Sequence, residues 1–221
     1  MGCSVDWSRE AFTLDEPRNL AVRTVFKKMY DDGLIVRKDR VVNWDPVGKT
    51  VISDDELVHI ERDATLYTFR YSKDIPISIS TTRPETKTGD TAIAVHPKDP
   101  RYLSFVGKTY SADFCGAKIK LKVIADESVD QEFGTGALGV TPAHSHIDFE
   151  LKEKHALEIM PVIGEDARMT KNAGSRLQGK TTEEAREEIV SWLKENDLLE
   201  REETIKQNVA TAERTGAVIE P

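Results

Sequence analysis

The residues best suited to chemistry lie in one polar loop between two apolar segments. Five of them carry a hydroxyl group or a charge, namely Thr81, Thr82, Arg83, Glu85 and Thr86. Pro84 disfavours a helix at the residue before it. Isoleucines alternate with Pro and Ser over residues 75–80, and an apolar run covers residues 91–95, which predicts a strand on each side. Such a loop can present hydroxyl groups to a ligand, although Ser and Thr are also common in exposed turns.

A second stretch, QEFGTGALGVTPAHSHIDFE at residues 131–150, combines glycines with acidic and imidazole side chains. Its glycines match the dinucleotide-binding spacing G-x-G-x-x-G, which needs a preceding strand and a helix that opens inside it. Pro142 forbids a helix through this run, so we exclude a Rossmann site. His144 and His146 have no third ligand at a recognisable spacing. We therefore predict neither a metal site nor a cofactor.

The acidic composition limits the partners that the chain can hold by charge alone. There are 31 Lys and Arg residues against 39 Asp and Glu residues, a formal net charge of −8. This disfavours a surface that grips nucleic acid mainly through basic side chains. Cys3 and Cys115 form no CxxC pair, which argues against a zinc knuckle and a disulfide framework. With no membrane-length apolar run and no signal-peptide pattern, we expect a cytoplasmic monomer without membrane contact.

Local patterns predict the supporting elements. Residues 13–16 fit a capping box that opens a helix ending near Gly33, and Thr181 with Glu184 fits a second box before a helix that ends near Asn196. Strands are predicted at residues 57–60 and 66–71 and over residues 118–123, where lysines alternate with apolar residues. The apolar positions of the first helix predict a core-facing or docking surface: Leu20, Val22, Val25, Phe26, Met29 and Tyr30.

The polar loop resembles a known family. The run TTRPETKTGDTAIAVHP at residues 81–97 is similar to the threonine-rich peptide in the editing domain of class I valyl-tRNA synthetases. The later stretch resembles the segment GTGALxVTPAHxxxDxE of the same family. Residues before 57 and the tail NVATAERTGAVIEP resemble the entry to and the exit from that inserted domain. HIGH-type and KMSKS-type signatures do not occur in the chain, so the resemblance implies an editing domain with short flanks.

The resemblance also implies a fold and a domain organisation. We expect an α+β fold, a β-rich, barrel-like domain with peripheral helices. Residues 1–56 would lead from the synthetase core into the insertion. The editing domain would cover residues 57–205, and residues 206–221 would lead back toward the core.

The family assigns roles to individual residues of the second stretch. Phe133 matches an aromatic residue that packs on the terminal adenosine of tRNA, and Thr141 and Asp148 match pocket residues that contact the misattached amino acid. His144 matches a histidine expected to shape the pocket, whereas His146 has no such match. Arg83, Glu85 and Thr86 are expected to help bind the substrate.

The expected chemistry needs no covalent nucleophile, and no G-x-S-x-G elbow occurs. Thr81, Thr82 and backbone amides of the loop are expected to orient a water molecule and stabilise the developing oxyanion. Asp148 is expected to pair with the α-ammonium of an aminoacyl ester. Asp148 could instead, or in addition, be an N-capping residue of a helix that begins there.

This sequence departs from the family pattern at several positions. Many relatives have Lys where this chain has Gly139, Asp where it has Ser145, and Cys where it has Asp45. The polar recognition of the substrate side chain therefore cannot be transferred unchanged. A metal ligand expected at residue 45 is absent.

The resemblance implies post-transfer editing: hydrolysis of Thr-tRNA(Val), with the 3′ acceptor end of tRNA(Val), the misattached threonine and the remainder of the synthetase as partners. A pocket that accepts valine cannot strongly reject an isostere that adds a hydroxyl, so a second sieve is required. Two alternatives stay open. One is a non-catalytic module that binds the acceptor end, and the other is an editing domain of altered, isoleucyl-like or leucyl-like specificity.

Overall fold

The computed structural model describes residue 2 and residues 4–221. Cys3, for which the sequence predicts neither a zinc knuckle nor a disulfide framework, lies outside these residues. The described chain forms two compact units, Met1–Arg40 and Val41–Pro221, which are taken separately.

The first unit contains one long helix, α1, at Glu16–Asp31. The predicted capping box at residues 13–16 is wrong, because the Asp15 side chain caps the helix by accepting the N–H of Arg18 at 3.0 Å. Gly33 follows the helix with a φ of +74°, a conformation that favours glycine, as its predicted place at the helix end requires. The apolar positions of α1 are 38–67% exposed, so the expectation that they form core is wrong. Their role as a docking surface stays a prediction.

The second unit begins with a short hairpin of β1 (Asn43–Asp45) and β2 (Thr50–Ile52). Asp45 is buried and accepts the N–H groups of Val47 and Gly48, each at 2.9 Å, and the Thr215 hydroxyl at 2.8 Å. The residue that replaces a cysteine of many relatives therefore closes the hairpin turn through hydrogen bonds.

A three-stranded antiparallel sheet has the order β4-β3-β9. It consists of β3 (Leu57–Arg70), β4 (Ser78–Thr81) and β9 (Leu199–Ala212). The strands predicted at residues 57–60 and 66–71 both lie in β3, except for Tyr71, but the break predicted between them is wrong. β9 pairs with β3 along nearly its whole length and includes the polar residues between the two segments. Ile75, Ile77 and Ile79 are buried as their alternation predicts, although hydrogen-bonded pairing starts only at Ser78.

A second sheet has the order β6-β7-β5-β8. Its strands are β5 (Ala92–Val95), β6 (Thr109–Phe114), β7 (Ala117–Ala125) and β8 (Ala137–Val140). β5 runs parallel to β7, and the other pairs are antiparallel. The lysines of β7 are exposed while Ile119, Leu121 and Val123 are buried, which confirms the predicted alternation.

Two helices complete the unit, α2 (His146–His155) and α3 (Thr182–Glu195). The second capping box is confirmed, since Thr181 and Glu184 each accept the other's backbone N–H. Ile189 and Leu193 of α3 are fully buried in the main core, where Trp192 packs edge-on against Phe114. α3 therefore covers the core to which both larger sheets contribute.

The fold is a mixture of helices and mainly antiparallel strands, as expected. The strands of the described residues form three sheets and none closes on itself, so the barrel-like detail is not confirmed. The predicted boundary between residues 205 and 206 falls inside β9, and the three-segment division stays a prediction. Within residue 2 and residues 4–221, no helix combines the length and apolar character needed to cross a bilayer.

Candidate functional site

The polar loop leads into the interior of the second unit. After β4, a 3-10 turn covers Pro84–Gly89, and all six of its residues are buried. The fit is close: a Cβ atom on Gly89 would lie 2.7 Å from the Met160 carbonyl oxygen, so this position accepts only glycine without a shift of the backbone. Thr81, Thr82 and Arg83 precede the turn and are only partly buried. The predicted loop is thus open at its first residues and enclosed beyond them.

Thr141 joins the two stretches predicted from the sequence. Its backbone N–H donates to the Asp148 carboxylate at 2.8 Å, and its hydroxyl donates to the Asp90 carboxylate. The Lys87 ammonium donates to the Thr141 hydroxyl oxygen at 2.8 Å, and the Tyr71 hydroxyl also donates to Asp90. We call these five residues the Thr141 cluster. It brings Thr141 and Asp148 together, as the sequence predicts.

The Thr141 cluster is a charged group in a dry environment. Thr141, Asp90 and Asp148 expose at most 4% of their surface. Burial raises the pKa of Asp148 and of Asp90, and the nearby charge of Lys87 opposes part of that rise. With both carboxylates ionised, the cluster holds two negative charges and one ammonium. The cluster therefore contains one carboxyl group more than it has ammonium groups to pair with.

The start of α2 shows how Asp148 is positioned. Ser145 is the N-cap, and its hydroxyl accepts the Asp148 N–H at 3.2 Å. Asp148 lies in the first turn, so the interpretation of Asp148 as the N-capping residue is wrong. Its carboxylate points back to the Thr141 N–H instead of capping the helix. Ser145, where many relatives have Asp, thus has a structural role in orienting the Asp148 backbone.

A second network surrounds Glu85, which is fully buried. Arg186 of α3 donates to both Glu85 oxygens, at 3.0 and 2.8 Å, and Arg83 donates to one of them at 3.2 Å. Arg83 also donates to Glu220 at 2.5 Å. Burial would raise the pKa of Glu85, but the Arg186 hydrogen bonds and the two positive charges lower it overall. These bonds tie the loop to α3 and to the end of the chain.

This network limits what Glu85 and Arg83 can offer to a substrate. Both Glu85 oxygens are occupied by arginines. Arg83 uses Nε and Nη2, its side chain is 28% exposed, and its Nη1 makes no hydrogen bond within the described part of the chain. Thr86 donates its hydroxyl to the Arg83 carbonyl at 3.0 Å. Of these three predicted substrate contacts, Arg83 has the donor and the exposure that a contact requires.

His144 is held as a neutral ring. Its Nε2 accepts the backbone N–H groups of Val162 and Ile163, at 2.9 and 3.2 Å, so the proton lies on Nδ1, which faces the Pro221 carbonyl at 3.4 Å. Burial lowers the pKa of His144 to about 4. The ring braces the backbone beside the turn at residues 84–89 and has no free lone pair for a base. His146 lies apart, against Asn43 at 3.2 Å.

The remaining predicted residues lie at the end of β4 or beside it. The Thr81 hydroxyl oxygen accepts the Arg83 N–H at 3.0 Å, and the Thr82 oxygen accepts from Gln207 at 3.1 Å, which leaves each hydroxyl proton for another acceptor. Phe133 is 56% exposed, and a Cβ atom on its neighbour Gly134 would lie 2.6 Å from the Ser80 side chain. Phe133 is therefore an exposed aromatic on a turn that touches the strand leading to Thr81.

Gly139 has a steric explanation. A Cβ atom there would collide with the Tyr71 hydroxyl, Asp90 and Ile79, so no side chain fits without rearrangement. The Lys87 ammonium donates to the Gly139 carbonyl at 2.8 Å. The lysine of this site thus comes from the turn at residues 84–89, not from position 139.

Several members of the site were not identified from the sequence. Lys87, Asp90, Tyr71, Arg186 and Glu220 were assigned no role in the site from the sequence. An ionisable residue such as Lys87 or Asp90 next to a buried strand was the one available hint, since buried charges need partners. In the described residues no group of three or more His, Cys, Asp or Glu side chains is placed to hold a metal ion.

The first third of the chain is similar to class I tRNA synthetases. A family model described as tRNA synthetases class I (I, L, M and V) matches residues 1–73. A solved structure of the ternary complex of Agrobacterium radiobacter K84 LeuRS with tRNA and LeuAMS is 19% identical, with a TM-score of 0.43, over 91% of this chain and 34% of that one.

Curated relatives narrow the class further. Valine–tRNA ligases of Oceanobacillus iheyensis and Thermotoga maritima are each 46% identical over 224 aligned residues, covering all of this chain and 25% and 26% of the relatives. The chain thus spans about a quarter of the length of these enzymes. It is homologous over its whole length to part of valine–tRNA ligase and fits a domain of that class I synthetase, which confirms the predicted resemblance.

Proposed function

We propose that this chain is the editing domain of a valine–tRNA ligase and hydrolyses the aminoacyl ester of Thr-tRNA(Val). The observation that carries the proposal is that the Thr141 cluster buries two carboxyl groups, those of Asp90 and Asp148, with a single ammonium, that of Lys87, beside a fixed hydroxyl. An aminoacyl ester brings a second ammonium, its α-ammonium, which would pair with the Asp148 carboxylate. Homology to a quarter of valine–tRNA ligase supports a synthetase setting for this chemistry.

The proposed reaction needs a positioned water and a place for the oxyanion. The ribose ester is already activated, so orientation and electrostatic stabilisation suffice. Thr81 and Thr82 supply hydroxyl groups that still have a free proton, and Arg83 supplies a partly exposed guanidinium at the same edge. Exposed Phe133 gives a stacking surface for the terminal adenosine. Glu85, Thr86 and His144 act by holding the loop and its neighbours in place.

The neutral state of His144 favours water orientation over general-base catalysis by this histidine. A base must have a free lone pair and a pKa near the working pH. His144 has neither, because two backbone N–H groups occupy Nε2 and the pKa is about 4. The partners proposed for the chain are the 3′ acceptor end of tRNA(Val), its threonine and the rest of the ligase, in a soluble cytoplasmic enzyme.

A panel of esters on one tRNA tests the proposal. The protein is incubated with threonyl, valyl, isoleucyl and alanyl esters of tRNA(Val), and the release of each amino acid is followed. We expect fastest release of threonine, because valine leaves the buried hydrogen-bonding groups unpaired, at about 1–3 kcal/mol for each group. Fastest release of isoleucine would instead indicate altered specificity. Binding of tRNA without release of any amino acid would indicate a non-catalytic module, an alternative that the occupied Glu85 carboxylate favours.

A further inference from the structure

Lys87 is a buried lysine for which the proposed hydrolysis provides no direct role. Its side chain is 7% exposed, and its ammonium contacts Asp90 at 3.2 Å and the Gly139 carbonyl and the Thr141 hydroxyl at 2.8 Å each. An ammonium group has three N–H donors, and three acceptors surround this one. Lys87 therefore has no donor left for a substrate, and any influence on the reaction passes through its neighbours.

The neighbour that Lys87 constrains most directly is the Thr141 hydroxyl. A hydroxyl has one proton and two lone pairs. Its proton goes to Asp90, and one lone pair accepts from Lys87. One lone pair remains, and because Asp90 and Lys87 fix the hydroxyl on both sides, Thr141 can only accept a hydrogen bond from a substrate.

We propose that Lys87 is a positioning residue for specificity: it locks Thr141 as an acceptor that distinguishes a substrate bearing a hydroxyl donor from its methyl isostere. The inference rests on the proposed function and adds a determinant of the preference for threonyl over valyl esters. A threonine hydroxyl can donate to the remaining lone pair, and a valine methyl cannot. Without Lys87 the Thr141 hydroxyl can rotate between donor and acceptor roles, and the discrimination weakens.

Lys87→Met tests this, because it keeps an unbranched side chain only one atom shorter and removes the ammonium. The matched control is Lys122→Met, the same substitution at an exposed lysine of β7. Two ratios are measured for the parent and each variant. The first is kcat/KM for Thr-tRNA(Val) divided by kcat/KM for Val-tRNA(Val). The second is the affinity for 3′-threonylamino adenosine divided by the affinity for 3′-valylamino adenosine, two analogues in which an amide replaces the ester. We expect Lys87→Met to lower both ratios by about 5-fold to 150-fold, the factor that one unpaired buried group carries. Lys122→Met should leave them unchanged.

A second variant covers the case in which Lys87→Met does not fold. If Lys87→Met alone does not fold, Lys87→Met with Asp90→Asn removes the ammonium and its carboxylate together, and the same fall in both ratios is expected. Unchanged ratios in the variant that folds would overturn the proposal. So would equal losses on both substrates, which indicate a purely structural role, or faster hydrolysis of both, which indicates that Lys87 blocks the site.

The activity of the parent protein separates the proposed function from the role of Lys87. A parent protein that releases no amino acid from any ester overturns the proposed function and this inference with it. A parent that prefers threonine while Lys87→Met keeps the same preference overturns the inference alone.

Discussion

Asp148 is an ionisable residue at a deeply buried position, where its charged form is costly. The native fold holds the carboxylate in a dry site where burial raises its pKa, whereas the unfolded chain exposes it to water. The ionised form is therefore disfavoured in the folded protein without substrate. A residue that lowers stability in the absence of ligand is typical of a group that is kept for binding.

Asp148→Asn should therefore stabilise the protein at neutral pH. Asn keeps a carbonyl oxygen for the Thr141 N–H and removes the charge. The pKa of Asp148 in the fold is raised above its ordinary value of 3.8. Between 3.8 and the raised pKa, the native state therefore binds more protons than the unfolded state. The contribution of Asp148 to stability falls as the pH rises through this range. Each pKa unit of the shift corresponds to about 1.4 kcal/mol. Thermal unfolding at pH 4 and pH 7 should show that Asp148→Asn is more stable than the parent by a margin that grows with pH. A variant less stable than the parent at pH 7 would contradict the assignment.

His144 predicts the opposite pH dependence. Its pKa is about 4 in the fold against an ordinary value of 6.5, so the unfolded state binds more protons between these values and stability falls as pH drops from 6.5 to 4. The full effect is on the order of 3 kcal/mol. His144→Gln, which offers an oxygen to the same N–H groups, should flatten this part of the stability profile measured by denaturant unfolding. An unchanged slope in the variant would show that His144 titrates normally in the fold.

The sequence identified Thr141 and Asp148 but not the residues that surround them. The resemblance predicts that both residues contact a substrate, and in the structure the two are joined by a hydrogen bond. Lys87 and Tyr71 join the cluster only because β8, β3 and the turn at residues 84–89 come together, a contact that no local spacing encodes. The assignment of Asp148 as N-cap was wrong because Ser145, three residues earlier, makes the same kind of bond from a better position.

At the level of elements, the loop is held from outside the sheet that carries it. Glu85 in the turn at residues 84–89 is held by Arg186 of α3 and by Arg83, and Arg83 reaches Glu220 near the chain end. The bidentate geometry of Arg186 fixes direction as well as distance. The loop therefore depends on α3 for its position, although α3 contributes no predicted substrate contact.

Removing Arg186 should weaken the fold and the loop together. In Arg186→Met the fully buried Glu85 keeps only one arginine, and we expect a loss of about 1–3 kcal/mol of stability, seen as a lower melting temperature. Arg62→Met, at an exposed position of β3, is the control. If both variants melt alike, the buried network contributes no more than an exposed arginine.

Local signals were sufficient for some elements and not for others. The Thr181 box and the β7 alternation lie within a few residues, and both predictions are confirmed. β3 and β9 pair across more than a hundred residues, so the sequence could not show that a polar stretch would be bridged into one long strand. The helix cap at Asp15 was missed because Thr13 and Glu16 offered an equally regular pattern.

For the whole molecule, the charge balance sets the expected mode of RNA binding. A net charge of −8 disfavours a broad basic surface for a phosphate backbone. The chain covers about a quarter of the length of its valine–tRNA ligase relatives. Under the proposed function, the remainder of such a ligase supplies most of the tRNA contacts and this chain binds only the acceptor end.

The protein by itself should therefore bind tRNA(Val) weakly. We expect a dissociation constant of about micromolar or weaker at physiological salt, with a shallow salt dependence that reflects few phosphate contacts. Titration of labelled tRNA at several salt concentrations measures both. A sub-nanomolar affinity would indicate an RNA-binding protein in its own right.

The central claim is that Asp148 binds the α-ammonium of a misattached amino acid, and the rate of threonine release from Thr-tRNA(Val) tests it most directly. The parent and Asp148→Asn are compared on this ester and on its N-acetylated form. Loss of a desolvated charge partner costs about 3–5 kcal/mol, so we expect Asp148→Asn to slow release by about two to three orders of magnitude or more while remaining folded. The N-acetylated ester should be poor for the parent and little affected by the substitution. Near-parental release of threonine by Asp148→Asn would contradict the account.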